Sequence, residues 1–560
     1  MRWTLKPKPE PQKILQLQDA LQVDEFVATL LVQRGIETYE DAKRFFRPSL
    51  NHLHDPYLMQ DMDKAVARIE QAFANNERIL VYGDYDVDGT TAVSLLSSYL
   101  RTRTDLVSTY IPDRYQEGYG VSYKGIDFAK DNEFSLIIAL DCGIKAVDKV
   151  IYAKEKGIDF IICDHHRPGK DIPKAVAVLD PKRTDCNYPY KELCGCGVGF
   201  KLIQALAKHE GKTIKDLTHY LDLVAIAIGA DIVPITGENR VLAYFGLQVI
   251  NNQPRPGIKA LIAQVKKEEL SITDVVFIIA PRINAAGRMK HGNHAVTLLT
   301  ETDFNHATTF ATEIEVFNTD RKEEDSRITD EALQQIIEQN ETDRKTTVVY
   351  QEDWHKGVIG IVASRLTETY YRPTLVFTKS GNKLAASARS VIGFDVYNAL
   401  EACSEHIEQF GGHKYAAGLT LHPENYEAFK QAFEEEVSQT IDSTLLTPEI
   451  SIDAKIDLSD ITPKFYRILK QFAPFGPGNR TPVFMSEHLQ DTGYGKQVGD
   501  GSHLRVTVTN GAQKIVGIGF GLGEKLSLIS NKNLFKAVYS IDENHWKGNV
   551  SLQLRLRDIK

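Results

Sequence analysis

At 560 residues the chain is too long for a single hydrophobic core, and its 42% hydrophobic and 25% charged content is that of a globular protein of several domains. No run approaches the roughly 20 apolar residues of a membrane span, and MRWTLKPKPEPQ at the N-terminus lacks the apolar stretch of a secretory signal. A helical membrane protein is therefore excluded, and a cytoplasmic one is expected, with the six cysteines kept as reduced thiols. The net charge of −9 runs against a nucleic-acid partner, but it conceals a gradient: residues 480–560 carry 11 Lys and Arg against 7 Asp and Glu.

Residues 1–75 read as short amphipathic helices, such as 24–34 and 39–46, expected to pack on the domain that follows. From 76 to 300 apolar runs alternate with helical ones. RILVYG (78–83), LVSTYIP (106–112), SLIIAL (135–140), DFIIC (159–163) and AVAVLD (175–180) are strand candidates, with helices near 91–100 and 146–157. That alternation predicts a largely parallel α/β sheet. A charged stretch, 301–345, reads as a long connecting helix, and 346–446 as a smaller α/β domain with strands TTVVY, TLVFT and KLAASARS (383–390) around helix 357–370. After the hinge APFGPGNRTP (473–482), short alternating strands with a basic bias make 447–560 a small β-barrel of the OB type.

Four acidic or histidine motifs follow apolar runs of the first α/β domain. Asp84, Asp86 and Asp88 lie in VYGDYDVDGTTA, where alternate residues of an extended segment point the same way. Three such carboxylates repel one another unless cations neutralise them. An Asp/Gly turn is the bland alternative, whereas a calcium loop fails because the glutamate expected six residues after its glycine is absent. Asp141 (LDCG) and Asp164-His165-His166 (CDHH) each follow a strand, and ligands of open parallel sheets bind beyond the strands' carboxyl ends. Asp231 ends the apolar run AIAIGAD, where a carboxylate calls for a partner such as a metal. Mixed oxygen and imidazole donors suit manganese, with magnesium compatible. Cys142 and Cys163 read as buried structural residues, and Cys186, Cys194 and Cys196 lack the CxxC pairs of a zinc site.

DxDxDG, DCG, DHH and GADIVP together resemble the DHH phosphoesterases. The resemblance implies two divalent cations, with Asp86 on the first, Asp88 on the second, Asp141 bridging, and His165 and Asp231 completing the second site. It makes His166 the contact to the scissile phosphate and Asp164 the residue orienting the imidazoles. Small-substrate members carry a histidine where this chain has Tyr82, and Asp84 is the provisional substitute ligand. Further along, PDRYQEGYG (112–120), LCGCGVGFKL (193–202), APRINAAGRM (280–289), WHKGVIGIVASRL (354–366), SARS (387–390), GGHKYAAG (411–418) and PFGPGNRTP (474–482) follow in order and resemble the RecJ-type single-strand exonucleases. Ala386 before SARS and Cys194/Cys196 depart from that pattern.

This closer resemblance implies a catalytic DHH domain, a DHH-associated domain and an OB-fold. It implies 5′-to-3′ hydrolysis of single-stranded DNA to mononucleotides in recombination and repair. Arg114, Ser387 and Arg389 match its 5′-phosphate pocket, and arginine's fork suits phosphate oxygens. Arg282, Asn284, Arg288 and His413 are candidate backbone contacts, and Tyr115 and Tyr119 candidates for base stacking. In the barrel Lys496, His503, Arg505, Arg555 and Arg557, with Tyr494, Phe520 and Trp546, would form a basic groove with stacking surfaces. Single-stranded DNA, a single-strand-binding protein and a helicase are the implied partners, and a monomer the implied state. Two other readings remain open at this level: a phosphodiesterase of short oligonucleotides or cyclic dinucleotides, and a non-enzymatic replication scaffold.

Overall fold

The computed structural model describes residues 1–263, 265, 267–546 and 548–560. They form two compact units, one made of residues 3–284, 292–311 and 450–560, the other of 1–2, 285–291 and 312–449. Among the described residues no helix is long and apolar enough to cross a membrane.

The larger unit holds a five-stranded parallel sheet. Its strands are β1 (Ile79–Gly83), β2 (Val107–Tyr110), β3 (Leu136–Leu140), β4 (Asp159–Cys163) and β5 (Ala177–Leu179), in the order β2-β1-β3-β4-β5. β1 and β3 are apolar at nearly every position and buried throughout, as strands covered on both faces must be. Helices α1 (Val87–Leu100) and α2 (Gly195–His209) pack on the sheet, and α3 (Leu221–Ala230) packs on both of them. The strand order reverses at β1, so the loops after β1 and β3 open on the same crevice at the sheet's carboxyl edge.

The same unit contains the barrel, whose strands run Ala454–Lys455, Phe484–Asp491, Phe535–Trp546, Asn549–Ile559, Lys514–Gly519, His503–Thr509 and Lys496–Val498. A second pairing of Phe484–Asp491, with His503–Thr509 through Gln490 and Asp491, closes it. The N-terminal helices depart from expectation. Ile14 and Leu17 of Pro11–Leu21, and Val27, Leu30 and Leu31 of Glu25–Val32, share one core with Phe465, Phe484, Leu504 and Tyr539. These two helices pack on the barrel side, because their apolar faces are completed by residues more than 400 positions away.

In the smaller unit the strands run Gln409–His413, Ala416–Leu421, Lys383–Arg389, Thr374–Ser380 and Thr347–Tyr350, the last pair parallel and the others antiparallel. Helices Ile359–Tyr370 and Tyr426–Thr440 bury apolar faces in two cores of this unit.

Candidate metal centre

The acidic loop after β1 is not the extended segment its alternation suggests. Asp86 has extended dihedrals and caps α1, its Oδ1 accepting from the Gly89 amide at 2.9 Å, so Asp88 already lies in the first helical turn. Asp88 is 2% exposed, yet both oxygens are engaged: Oδ2 accepts from the Gly195 amide at 2.6 Å and Oδ1 from the Cys196 amide at 2.7 Å. These amides are the free donors at the start of α2. A side chain at 195 could not be accommodated, because its Cβ would lie 2.5 Å from Asp141 Cβ and 2.6 Å from Asp141 Oδ1. LCGCG is thus the N-terminus of a helix that seats one acidic residue and adjoins another. The glycine pair ahead of an apolar helical run was the available signal.

His165 stands at the centre of the cluster. Its Nε2 lies 3.1 Å from Asp141 Oδ1, 3.6 Å from Asp231 Oδ2 and 3.8 Å from Asp88 Oδ2. Neither ring nitrogen makes a hydrogen bond of normal geometry, nor does Asp141 Oδ1. Burial, with His166 alongside, pushes the His165 imidazole down to about 3, so it is an uncharged lone-pair donor near neutrality. Burial and mutual repulsion push the carboxyls of Asp88 and Asp141 up, and Asp231 up to about 7. Asp84 is fully buried and also pushed up, first by burial and then by Asp86; neither of its oxygens is well bonded, the amides of Tyr85 and Gly120 being only loosely directed at it.

Among the described residues, two groupings have donor atoms close enough for one cation: Asp88, His165 and Asp231, and Asp141, His165 and His166. Buried carboxylates that repel one another, orphaned oxygens and a neutral imidazole fit hard divalent ions. Asp84 and Asp86 adjoin these groupings without completing a third. Tyr82 is buried; its hydroxyl donates to Gly120 O at 2.9 Å and accepts from the Ser122 amide at 3.2 Å, tying down the loop after β2.

Asp164 and His166 form a separate pair at the edge of the cluster. Burial opposes the Asp164 charge, but His166 Nδ1 at 2.7 Å and the amides of Ile144, His165 and His166 hold its carboxyl down at about 2. The same contact outweighs burial at His166 and lifts its imidazole to about 9, leaving both ring nitrogens protonated. His166 Nε2 meets the Tyr119 hydroxyl at 3.1 Å, and that hydroxyl also reaches Asp141 O at 3.3 Å. Tyr119 packs edge-on to Tyr85, whose ring carries the Arg114 guanidinium 3.8 Å from its centroid. Lys182, absent from the sequence reading, lowers the Asp231 carboxyl and disfavours protonation of His165.

Asp231 terminates α3, and the chain turns sharply at Ile232, which has φ +58° and is 66% exposed. A β-branched residue there costs on the order of 1–3 kcal/mol and persists only where its surroundings impose the conformation.

In the smaller unit Arg389 Nη1 donates to Ser387 Oγ at 3.2 Å and to Ala388 O at 2.7 Å. A Cβ on Gly360, in the first turn of Ile359–Tyr370, would lie 2.9 Å from Ser387 Oγ and 3.1 Å from Arg389 Nη2. A guanidinium, a hydroxyl and a helix N-terminus thus converge, which is the donor set of an anion pocket. His413 pairs with Ala416 and Ala416 with Arg389, so His413 and Arg389 share one face of the sheet two strands apart. Arg282 donates to Ile278 O within its own helical run, and Arg288 to Gly357 O. Asn284 lies two residues from Arg282 in the helix Ala280–Met289.

On the barrel, Lys496, Arg505, Ile518 and Arg555 are register partners across four strands, all but Ile518 exposed. Phe520, 60% exposed, lies under the Arg555 guanidinium at 5.7 Å and against His503 at 5.2 Å. Tyr494 and Trp546 are also exposed, whereas Arg557 is tied to Ser540 Oγ at 3.2 Å.

A parallel sheet with carboxylates and a histidine pair at its switch point, followed by a second α/β domain, defines the class of DHH phosphoesterases. Residues 78–228 match the DHH family N-terminal domain, 343–439 the DHHA1 domain and 452–558 the RecJ OB domain. The single-stranded-DNA-specific exonuclease RecJ of Bacillus subtilis is 36% identical over all of this chain and 70% of that protein, and the Escherichia coli one 33% identical over 95% of each. The crystal structure of Thermus thermophilus RecJ in complex with Mn2+ superimposes with a TM-score of 0.86, at 26% identity, over all of this chain and 79% of that one. The chain belongs to the RecJ family of single-stranded-DNA-specific exonucleases.

Proposed function

We propose that this protein is a metal-dependent exonuclease that hydrolyses single-stranded DNA from its 5′ end and releases mononucleotides. The observation that carries the reading is the largely buried, self-repelling cluster of Asp88, Asp141, Asp231 and His165, in a chain that its relatives match along its whole length. Asp88, Asp141, His165 and Asp231 are the ligands for two divalent cations, with Asp86 and Asp84 extending the shell toward the first; manganese and magnesium both appear in structures of the Thermus thermophilus relative. When bound, the cations supply charge neutralisation, polarisation of the phosphodiester and activation of water for in-line attack.

The protein's own groups do the rest. His166, protonated and anchored by Asp164, presents Nε2–H to a phosphate oxygen in place of the Tyr119 hydroxyl. Ser387, Arg389 and the start of Ile359–Tyr370 hold the terminal 5′-phosphate, and Arg114 is a further candidate for binding a phosphate. Arg282, Asn284, Arg288 and His413 contact the backbone, and Tyr115 and Tyr119 stack on bases. The barrel row with Phe520 extends the track, a surface that an enzyme of dinucleotides or cyclic dinucleotides does not need. Intact candidate ligands disfavour a non-enzymatic scaffold. The protein acts in the cytoplasm as a monomer in recombination and repair, receiving strands from a helicase and a single-strand-binding protein.

The test is a gel series with 5′-phosphorylated single-stranded, duplex and RNA substrates, labelled at either end, with manganese or with chelator. Label at the 5′ end should appear first as mononucleotide, on single-stranded DNA, and only with metal. Initial release from the 3′ end, or equal rates on duplex, would sink the reading.

A further inference from the structure

The loop that follows Asp231 is seated on a distant segment, and that contact bears on the metal centre. Asp231 is succeeded by Ile232 in the left-handed region, an exposed residue whose side chain has no burial to hold it there. Residues 234–237 are gripped from two sides. Tyr190 OH lies 3.3 Å from Pro234 O and 3.1 Å from Thr236 Oγ1, and Asn239 Nδ2 donates to Pro234 O at 3.1 Å. From the other side comes the segment before the barrel's Phe484–Asp491 strand. The Ile235 amide donates to Pro477 O at 2.7 Å, and Ile235 is 1% exposed. A Cβ on Gly476 would lie 2.5 Å from Ile235 Cγ1, so the Ile235 side chain fills the space that a side chain at 476 would need.

The segment 472–479 is itself held rigid. Asn479 Nδ2 donates to Phe472 O at 2.7 Å and Pro474 O at 2.9 Å, while Asn479 Oδ1 accepts from Arg34 Nε at 2.9 Å. Gly476 and Asn479 exchange both backbone hydrogen bonds at 3.0 Å. The buried Arg240 guanidinium, stacked 3.8 Å from the Phe45 centroid, donates to the carbonyls of Gln471, Phe472, Ala473 and Pro474. These acceptors, with Phe45 O at 3.1 Å, are backbone oxygens, so this arginine serves to fix chain path.

We propose that the segment 472–479, which leads into the barrel's Phe484–Asp491 strand, acts as a buttress that positions Asp231 through Ile235, with Gly476 and Asn479 as positioning residues for metal binding. The segment thereby joins the barrel's tether to the catalytic cluster. This rests on Asp231 being a ligand, as proposed above.

The test is calorimetric titration of the full chain, initially free of metal, with MnCl2 alone, comparing wild type, Gly476→Ala, Asp231→Asn and the double variant Gly476→Ala/Ile235→Ala. The thermal midpoint without metal is recorded for each. Gly476→Ala should weaken one Mn2+ step by roughly 10-fold to 100-fold, as loss of a group supporting a ligand does. The double variant removes Ile235 Cγ1 and Cδ1, leaving room for the new methyl, and should recover most of that loss even if it is less heat-stable. Such recovery would not follow from general destabilisation. Should Gly476→Ala fail to fold, Asn479→Ser takes its place, with the same expected weakening. Wild-type Mn2+ affinity in Gly476→Ala alongside weakened affinity in Asp231→Asn overturns the buttress alone. Wild-type affinity in Asp231→Asn overturns the ligand assignment instead.

Discussion

The cluster at the sheet's carboxyl edge and the donor group at Ser387 and Arg389 are both proposed to act on phosphate, yet they are built in opposite ways. The first buries carboxylates that repel one another and leaves oxygens of Asp84 and Asp141 without proper partners. The second gathers donors, a guanidinium, a hydroxyl and a helix start. On the proposed function, the first is completed by cations and the second by substrate. The difference teaches that loss of a ligand should relieve strain in the metal-free protein while destroying turnover, whereas loss of a donor should weaken substrate use without touching metal binding.

The largest break in that comparison is Asp141→Ala. It removes the carboxylate nearest His165 Nε2 and should lower turnover by about 10³-fold or more. The metal-free variant should melt no lower than wild type, since a buried, disfavoured charge is gone. Steady-state kinetics and a melting curve in chelator check both halves; near-normal turnover would remove Asp141 from the mechanism. Next comes Arg389→Ala, expected to cost roughly 10–100-fold in kcat/KM on 5′-phosphorylated strands. The loss should largely vanish on 5′-hydroxyl strands, and Mn2+ affinity should be unchanged by calorimetry.

A smaller effect should separate the barrel from both sites. Replacing Lys496, Arg505 and Arg555 together by alanine should weaken binding of long single strands and flatten the salt dependence by about 2 in the log–log slope. Cleavage of dinucleotides should be spared, and equal losses on long and short substrates would remove the barrel from the DNA track. The smallest prediction concerns Asp180, fully buried just beyond β5 with Oδ1 accepting the Lys182 amide at 2.7 Å. Burial raises its carboxyl to about 7 in the folded protein, against 3.8 as the ordinary value. Because the folded pKa is the higher one, the stability it supports is complete below about pH 4 and is lost as pH rises through 7. Asp180→Asn should therefore gain on the order of 1–3 kcal/mol over wild type at pH 8 and nothing at pH 4. Denaturant melts at the two pH values, in chelator, would show it.

How far the sequence reached can be judged residue by residue. The parallel sheet was legible because β1 and β3 are apolar runs, β4 is apolar after Asp159, and each is followed at once by an aspartate. Parallel strands share one carboxyl edge, so that local pattern already placed Asp84, Asp141 and Asp164 on a common side. The barrel was legible from alternation and turn spacing, as in HLRVTVT, buried at every second position. The extended conformation expected for the three early aspartates was not found, because Asp86 serves as a helix cap and draws Asp88 into α1. Nothing local marks that choice, since an aspartate–glycine run suits a loop and a helix start equally well.

What the sequence alone determined was chemistry: which strand ends carry carboxylates and imidazoles, and which strands carry arginines. Tertiary structure alone decided engagement. It set the amides of Gly195 and Cys196 on Asp88, the Tyr119 hydroxyl on His166, the first helices in the barrel's core, and Pro477 under Ile235. Each of these contacts joins residues tens to hundreds of positions apart. Their partners are chosen by packing and by the need to satisfy buried polar groups, which no local pattern of residues encodes.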